Sequence, residues 1–199
     1  GITTVCDFRS MDVALGGQGA PLVPVGDEIL FCRYDYCLNL GGFANISYRN
    51  ANRRIAYDIC PVNSLLNRLS REAGLAFDEG GKTGRSGKVI DAVLGTLEGI
   101  PYYRLPPPKS LGREWNEQYI LPHINKDLYP IPDLLRTLYE HAANQISGNL
   151  DDDPSKSVLV TGGGAYNRFL LGLIREKTRC RLVVPDDPLI QFKEALIFA

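Results

Sequence analysis

The spacing of apolar positions changes several times along the chain, and each change predicts an element. Three short apolar runs, 36–40, 44–48 and 54–58, are joined by Gly41-Gly42 and by Arg49-Asn50-Ala51-Asn52. Runs of that length between turn-forming residues predict an antiparallel meander. From 62 to 73 the period becomes helical, with Leu65, Leu66 and Leu69 on one face and Asn63 or Ser64 placed to cap it. A second helix is expected over 88–98, an extended proline-rich stretch over 102–108, and a short helix over 112–121. Pro132-Asp133 opens a longer helix whose Leu135, Leu138, Ala142 and Ile146 share a face until Gly148. The pattern then predicts a buried strand over 157–161, a turn at Gly162-Gly163-Gly164, a helix over 165–177, a strand over 181–184 and a helix over 191–199. Ahead of the meander, 2–7 reads as a buried strand. The glycine- and proline-rich segment that follows, to Pro24, reads as a loop, because glycine permits positive φ and proline stops regular structure. A loop that long is usually functional. Strands interleaved with helices predict an α/β protein with no internal repeat.

Composition narrows the function classes. The chain has 199 residues, 44% hydrophobic, enough for one large domain or two small ones. With 22 Lys+Arg against 23 Asp+Glu there is no basic stripe for nucleic acid and no polybasic membrane anchor, so small-molecule partners are favoured. The five cysteines, Cys6, Cys32, Cys37, Cys60 and Cys180, lack the close pairs of metal ribbons or redox motifs and read as reduced and cytosolic. No apolar run approaches a membrane span, and no signal peptide opens the chain. The start on a strand-like stretch reads as a cut from something longer.

Two glycine corners carry candidate chemistry. In VLVTGGGAYNRFLLGLI, Val158 to Ile174, a buried strand delivers glycines to a helix N-terminus, where bare backbone lets a flat or anionic ligand approach. The same corner is also ordinary α/β architecture, and the spacing is neither a Walker loop nor a dinucleotide fingerprint. In LNLGGFANIS, Leu38 to Ser47, a hairpin tip offers backbone N–H groups to phosphate, although a plain tight turn also explains Gly41-Gly42. Both corners in one chain with a β-meander match the layout of sugar kinases with an actin-like or RNase H-like core. Trp115, His123 and His141 read as packing or surface groups, and Lys109 and Arg113 as solvated cations or contacts to substrate or a dimer partner.

Seven blocks then carry a resemblance: DFRSMDVALGGQGAPLVP, LNLGGFANIS, YDICPVNSLLNRL, FDEGGKTGRSGKV, PPKSLGREW, VLVTGGGAYNRFL and EALIFA. In that order they resemble the anhydro-N-acetylmuramic acid kinases of the acetate and sugar kinase, heat-shock ATPase and actin superfamily. The resemblance implies an RNase H-like (actin-like ATPase) α/β lobe with a mixed sheet flanked by helices. Residues 1–35 would end an N-terminal lobe with a sugar-side loop, and 36–199 would form an incomplete C-terminal nucleotide-binding lobe.

It also implies a bacterial cytoplasmic enzyme of cell-wall recycling that uses ATP, Mg²⁺ and water to open a 1,6-anhydro sugar and phosphorylate O6. The sugar and ATP would be its partners, with no nucleic acid or membrane and a possible homodimer. Water attacking the anomeric carbon needs a carboxylate base. Asp7 or Asp12 could serve, and the resemblance points to Asp12, with Asp7 free to bond Arg9. Gly16, Gly17, Gln18 and Gly19 would shape the sugar wall, and Glu194 could touch the sugar. Phosphates would meet Gly41 and Gly42, with Asn39 or Asn45 orienting water on magnesium. Adenosine would lie on Gly162, Gly163 and Gly164 near Asn167. No metal-ligand cluster is visible in the sequence.

Two departures stand out. Ile59, Cys60 and Val62 are bulky where the family carries small residues, and the family's N-terminal phosphate hairpin has no counterpart. The chain is therefore expected to be an inactive fragment on its own. The rival expectation is a non-catalytic nucleotide- or sugar-binding module of the same fold.

Overall fold

The computed structural model describes residues 7–16, 19 and 22–198. In chain order the helices are α1 (Phe8–Ala14), α2 (Pro24–Leu30), α3 (Asn63–Glu72), α4 (Lys82–Ser86), α5 (Asp91–Glu98), α6 (Arg113–Tyr119), α7 (Ile131–Ser147), α8 (Arg168–Lys177) and α9 (Asp187–Phe198). The strands are β1 (Tyr36–Leu40), β2 (Phe43–Asn50), β3 (Arg53–Pro61), β4 (Ser157–Thr161) and β5 (Arg181–Val183). They form one mixed sheet in the order β3-β2-β1-β4-β5, antiparallel through the meander and parallel from β1 to β4 to β5.

Alternation along each strand sorts side chains onto two faces. Leu38, Leu40, Ala44, Ile46, Tyr57, Ile59, Val158 and Val160 enter the main core, together with Leu134, Leu135, Leu138, Ala142 and Ile146 of α7 and Leu170 and Ile174 of α8. On the other face Cys37 and Leu159 meet Phe31 in a smaller cluster, against which Leu189 and Ile197 pack. Gly26 permits this second layer, since a Cβ there would lie 2.4 Å from the Ile197 side chain and hold α2 away from α9.

Several local expectations are corrected. The segment expected to be a loop as far as Pro24 contains α1, and α2 starts on its last residue, Pro24, at the N1 position where proline is tolerated. The strand expected at 2–7 lies outside the described residues except for Asp7, which caps α1. Val62 is the N-cap residue of α3 and provides no side-chain cap. Asn63 instead donates to the Leu40 carbonyl at 3.1 Å, and Ser64 accepts from Asn116. The stretch expected to be extended begins with a 3₁₀ turn, Pro101–Arg104, where Tyr102 and Tyr103 pack on Trp115. The last helix starts at Asp187, four residues early, and breaks its helical geometry at Phe192. The glycine turn runs into a 3₁₀ turn, Gly163–Tyr166, so that α8 begins at Arg168. Among the described residues no helix is long and apolar enough to cross a membrane.

Candidate functional site

The second layer leaves part of the sheet uncovered near the carboxyl ends of β1 and β4, the place where open α/β sheets bind ligands. A cavity of about 570 Å³ opens there, with Asn39, Gly41, Asn45, Asp58, Thr161, Gly162 and Gly163 among its sheet-side lining. Its outer wall includes Arg9 from α1, Asp27 from α2, and Gln191, Lys193 and Glu194 from α9. A second cavity of about 840 Å³ lies beyond the glycine turn, lined by Asn67, Asp78, Arg85, Tyr139 and Asn167 among others. Gly163 and Tyr166 line both cavities, so the turn divides them.

Backbone geometry explains the glycine at the divide. Gly162 has φ 80° and ψ 167°, and a Cβ on it would stand 2.5 Å from Asn39 Oδ1. Gly164 is buried, where a Cβ would fall 2.6 Å from that of Leu40. The turn therefore lies flat on the end of β1.

Expected site residues divide into those the cavities gather and those they do not. Gly41, Asn45, Gly162, Gly163 and Glu194 line the first cavity, with Glu194 exposed. Gly42 faces a separate groove containing Arg68, Arg71 and Arg113. Asn167 lines the second cavity but is committed structurally: its Oδ1 accepts from Leu170 N–H as the cap of α8, and its Nδ2 donates to Tyr139. Asp7 is an exposed cap in left-handed backbone, accepting from Ser10 N–H rather than pairing with Arg9. Asp12 is half-buried and accepts from Gly19 N–H at 2.8 Å, while Arg9 donates to the Gly19 carbonyl at 2.6 Å. α1 thus clasps Gly19 from both sides, at the edge of the cavity that Arg9 lines. Gly16 is exposed with φ 90°. Gly17 and Gln18 lie outside the described residues.

Other functional candidates were not legible as motifs. Lys193 and Asp27 form a buried ion pair at 2.7 Å, and Ser47 Oγ donates to the same carboxylate at 2.5 Å. Arg54 extends this network, reaching Ser47 and pairing with Glu28 at 3.1 Å. The pair holds α9 to α2 and leaves little net charge on that wall. Asp58 is fixed by Leu111 N–H, which donates to its Oδ2 at 2.9 Å, and by Tyr102, whose hydroxyl donates to its carbonyl. Burial raises its carboxyl above the usual range, partly offset by the Leu111 hydrogen bond. In the second cavity Asp78 accepts from Thr83 N–H, Gly84 N–H and the Tyr139 hydroxyl. Lys109 sits over the Tyr57 and Tyr102 rings, and burial lowers its pKa. Strand alternation around Asn39 and Asp58 was the signal for the sheet-side groups. The Lys193–Asp27 contact spans 166 residues of sequence and had none.

A model of the anhydro-N-acetylmuramic acid kinase family matches residues 1–199. The chain belongs to that family. Relatives named anhydro-N-acetylmuramic acid kinase include one from Saccharophagus degradans, 40% identical over 88% of this chain and 50% of its own length. Another from Gloeobacter violaceus is 37% identical over 100% of this chain and 57% of its own. The chain thus spans about half the length of the curated kinase relatives it matches. Among solved structures, the activator of the 2-hydroxyisocaproyl-CoA dehydratase from Clostridium difficile with bound ADPNP aligns with a TM-score of 0.51 at 15% identity, covering 87% of this chain and 62% of that one. At that identity the likeness concerns the fold alone, which is the actin-like ATPase fold. Ile59, Cys60 and Val62, expected from the sequence to be bulky departures, are buried in the main core, and none of them lines the cavity.

Proposed function

We propose that this chain is the nucleotide-binding part of a kinase that opens 1,6-anhydro-N-acetylmuramic acid hydrolytically and phosphorylates its O6, consuming ATP in peptidoglycan recycling. The observation that carries the reading is the pair of cavities lying on either side of the Gly162–Gly164 turn, within a chain of this family. The cavity over the sheet would take the phosphates, on Gly41, Asn45 and the turn, with Gly42 completing the hairpin tip on the side of the neighbouring groove. The cavity beyond it would take adenosine, with Asp78, Arg85 and Asn167 around it.

The sugar would approach from the side of α1 and Glu194, against Gly16, Gly17, Gln18 and Gly19. Asp12 is the base of this reading. It takes a proton from the water that bonds to the anomeric carbon, the bond from that carbon to O6 breaks, and O6 takes the γ-phosphoryl group as ADP leaves. Asp7 would support α1 through its cap. Magnesium would supply charge neutralisation on the phosphates. Residues 1–35 would belong to the sugar-side lobe and 36–199 to the nucleotide lobe. The whole enzyme would be cytoplasmic, with a homodimer as its assembly, and the chain alone inactive.

The test is phosphorus NMR of the whole enzyme with ATP and the anhydro sugar. A sugar 6-phosphate appearing with ADP is expected, with Asp12→Asn slowing turnover by about 10²–10⁴. ATP consumption without a sugar phosphate, or full activity in Asp12→Asn, would contradict the reading.

A further inference from the structure

The strand register aligns four cavity residues in one row. Asp58 of β3 is opposite Asn45 of β2, Asn45 opposite Asn39 of β1, and Asn39 opposite Thr161 of β4. All four line the same cavity, whereas the residues flanking them in the strands enter the core. Asp and Asn are depleted in strands, so three of the four run against local preference in the middle of a sheet. Positions that violate a local rule without a packing gain mark functional sites.

The two ends of the row differ chemically. At the β4 end, Thr161 is 1% exposed, and its hydroxyl has no hydrogen-bond partner among the described residues. Leaving such a group unsatisfied is costly, and a ligand acceptor in the cavity would remove that cost. Gly162 follows it directly. At the β3 end, Asp58 commits Oδ2 to Leu111 and lines the cavity with a carboxylate that has no ion-pair partner among the described residues. Asp27 is already neutralised by Lys193, and Glu194 is exposed at the rim. Adjacent strands lie about 4.8 Å apart, so the row spans about 14 Å. That length suits an extended ligand with a cationic and an anionic part.

Magnesium fits these donors. It prefers oxygen ligands, keeps several waters, and is usually held by one or two carboxylates together with substrate phosphates. We propose that the row reads the magnesium–nucleotide complex by polarity, with Asp58 holding the hydrated cation and Thr161 donating its hydroxyl to a phosphate oxygen at the other end. Asn39 and Asn45, between them, contact water of the hydration shell. This assignment rests on the nucleotide reading above and adds Asp58 and Thr161 to it.

Calorimetric titration of the 199-residue chain with ADP, once with excess EDTA and once with excess Mg²⁺, separates the two ends. In the wild type Mg²⁺ tightens ADP binding. Asp58→Asn loses that gain, about tenfold or more, while binding in EDTA is equal to wild type or tighter because a carboxylate near the phosphates is gone. Thr161→Val weakens binding about tenfold in both conditions, as expected for a lost hydrogen bond to a charged group. Thermal melts confirm that both variants are folded. Retention of the full Mg²⁺ gain by Asp58→Asn overturns the proposal, as does equal weakening in both conditions, which would mark Asp58 as merely structural. Wild-type ADP binding that ignores Mg²⁺ overturns this inference alone. Absence of ADP binding under both conditions overturns the nucleotide reading as well.

Discussion

Asn39 and Gly162 touch across the end of the parallel pair β1–β4: Asn39 Oδ1 occupies the space within 2.5 Å of where a Cβ on Gly162 would be. The amide and the bare backbone therefore form one surface at the cavity floor. Gly162→Ala must move Asn39 and also place a side chain at φ 80°, ψ 167°, a region essentially confined to glycine. The expected loss is about 1–3 kcal/mol or more of stability. Urea denaturation measures it, with ADP affinity falling in parallel.

Lys193 and Asp27 bind α9 to α2 in a buried pair. Lys193→Met leaves the carboxylate without its cation, and removing one partner of a buried pair costs about 3–5 kcal/mol. The double change Asp27→Leu with Lys193→Met removes both charges and should recover much of that loss, a non-additivity that a double-mutant cycle by denaturation reads directly.

His141 gives the fold an acid-sensitive core group. It is buried, its Nε2 lies 2.9 Å from the Tyr103 hydroxyl, and burial pulls its pKa down from 6.5 to about 4. The unfolded chain takes up this proton first as pH falls, so stability declines between about pH 6.5 and pH 4 and is unaffected by this group above that window. Across it the loss approaches about 3 kcal/mol. His141→Gln should flatten that part of the pH profile by about one proton.

Thiol accessibility differs sharply among the cysteines. Cys32 is exposed, while Cys37, Cys60 and Cys180 are buried, and burial pushes the Cys37 thiol up to about 11. Of these four, Cys32 is expected to take a thiol label in the native protein, with Cys37 and Cys60 reacting only after unfolding. Peptide mass spectrometry after pulse labelling checks the order.

The sheet was legible wherever apolar alternation and turn residues agreed, so the meander, β4 and the apolar face of α7 lie where their patterns put them. Local composition misled where tertiary contacts decide. The glycines and prolines between Gly16 and Pro24 hid α1 and the start of α2, short helices secured by Asp7 and Gly19 in the first case and by packing on α9 in the second. Asn63 has a capping side chain, yet the Leu40 carbonyl claims it. The glycine turn was visible as a candidate nucleotide contact, but its partnership with Asn39, the Asp58–Thr161 row and the Lys193–Asp27 pair arise from strand register and from contacts distant in sequence. Asp58 stands out in the chain as a polar residue within a strand, whereas Thr161 looks ordinary. Only the register places them in one line.

The most direct measurement is amide hydrogen exchange of the wild-type chain with and without Mg-ADP. Slower exchange is expected at Gly41, Gly42 and Gly162–Gly164, and around Asp78 and Thr83, with little change in α5 or β5. Saturable ADP binding that leaves those amides unchanged and protects another surface would contradict the nucleotide reading.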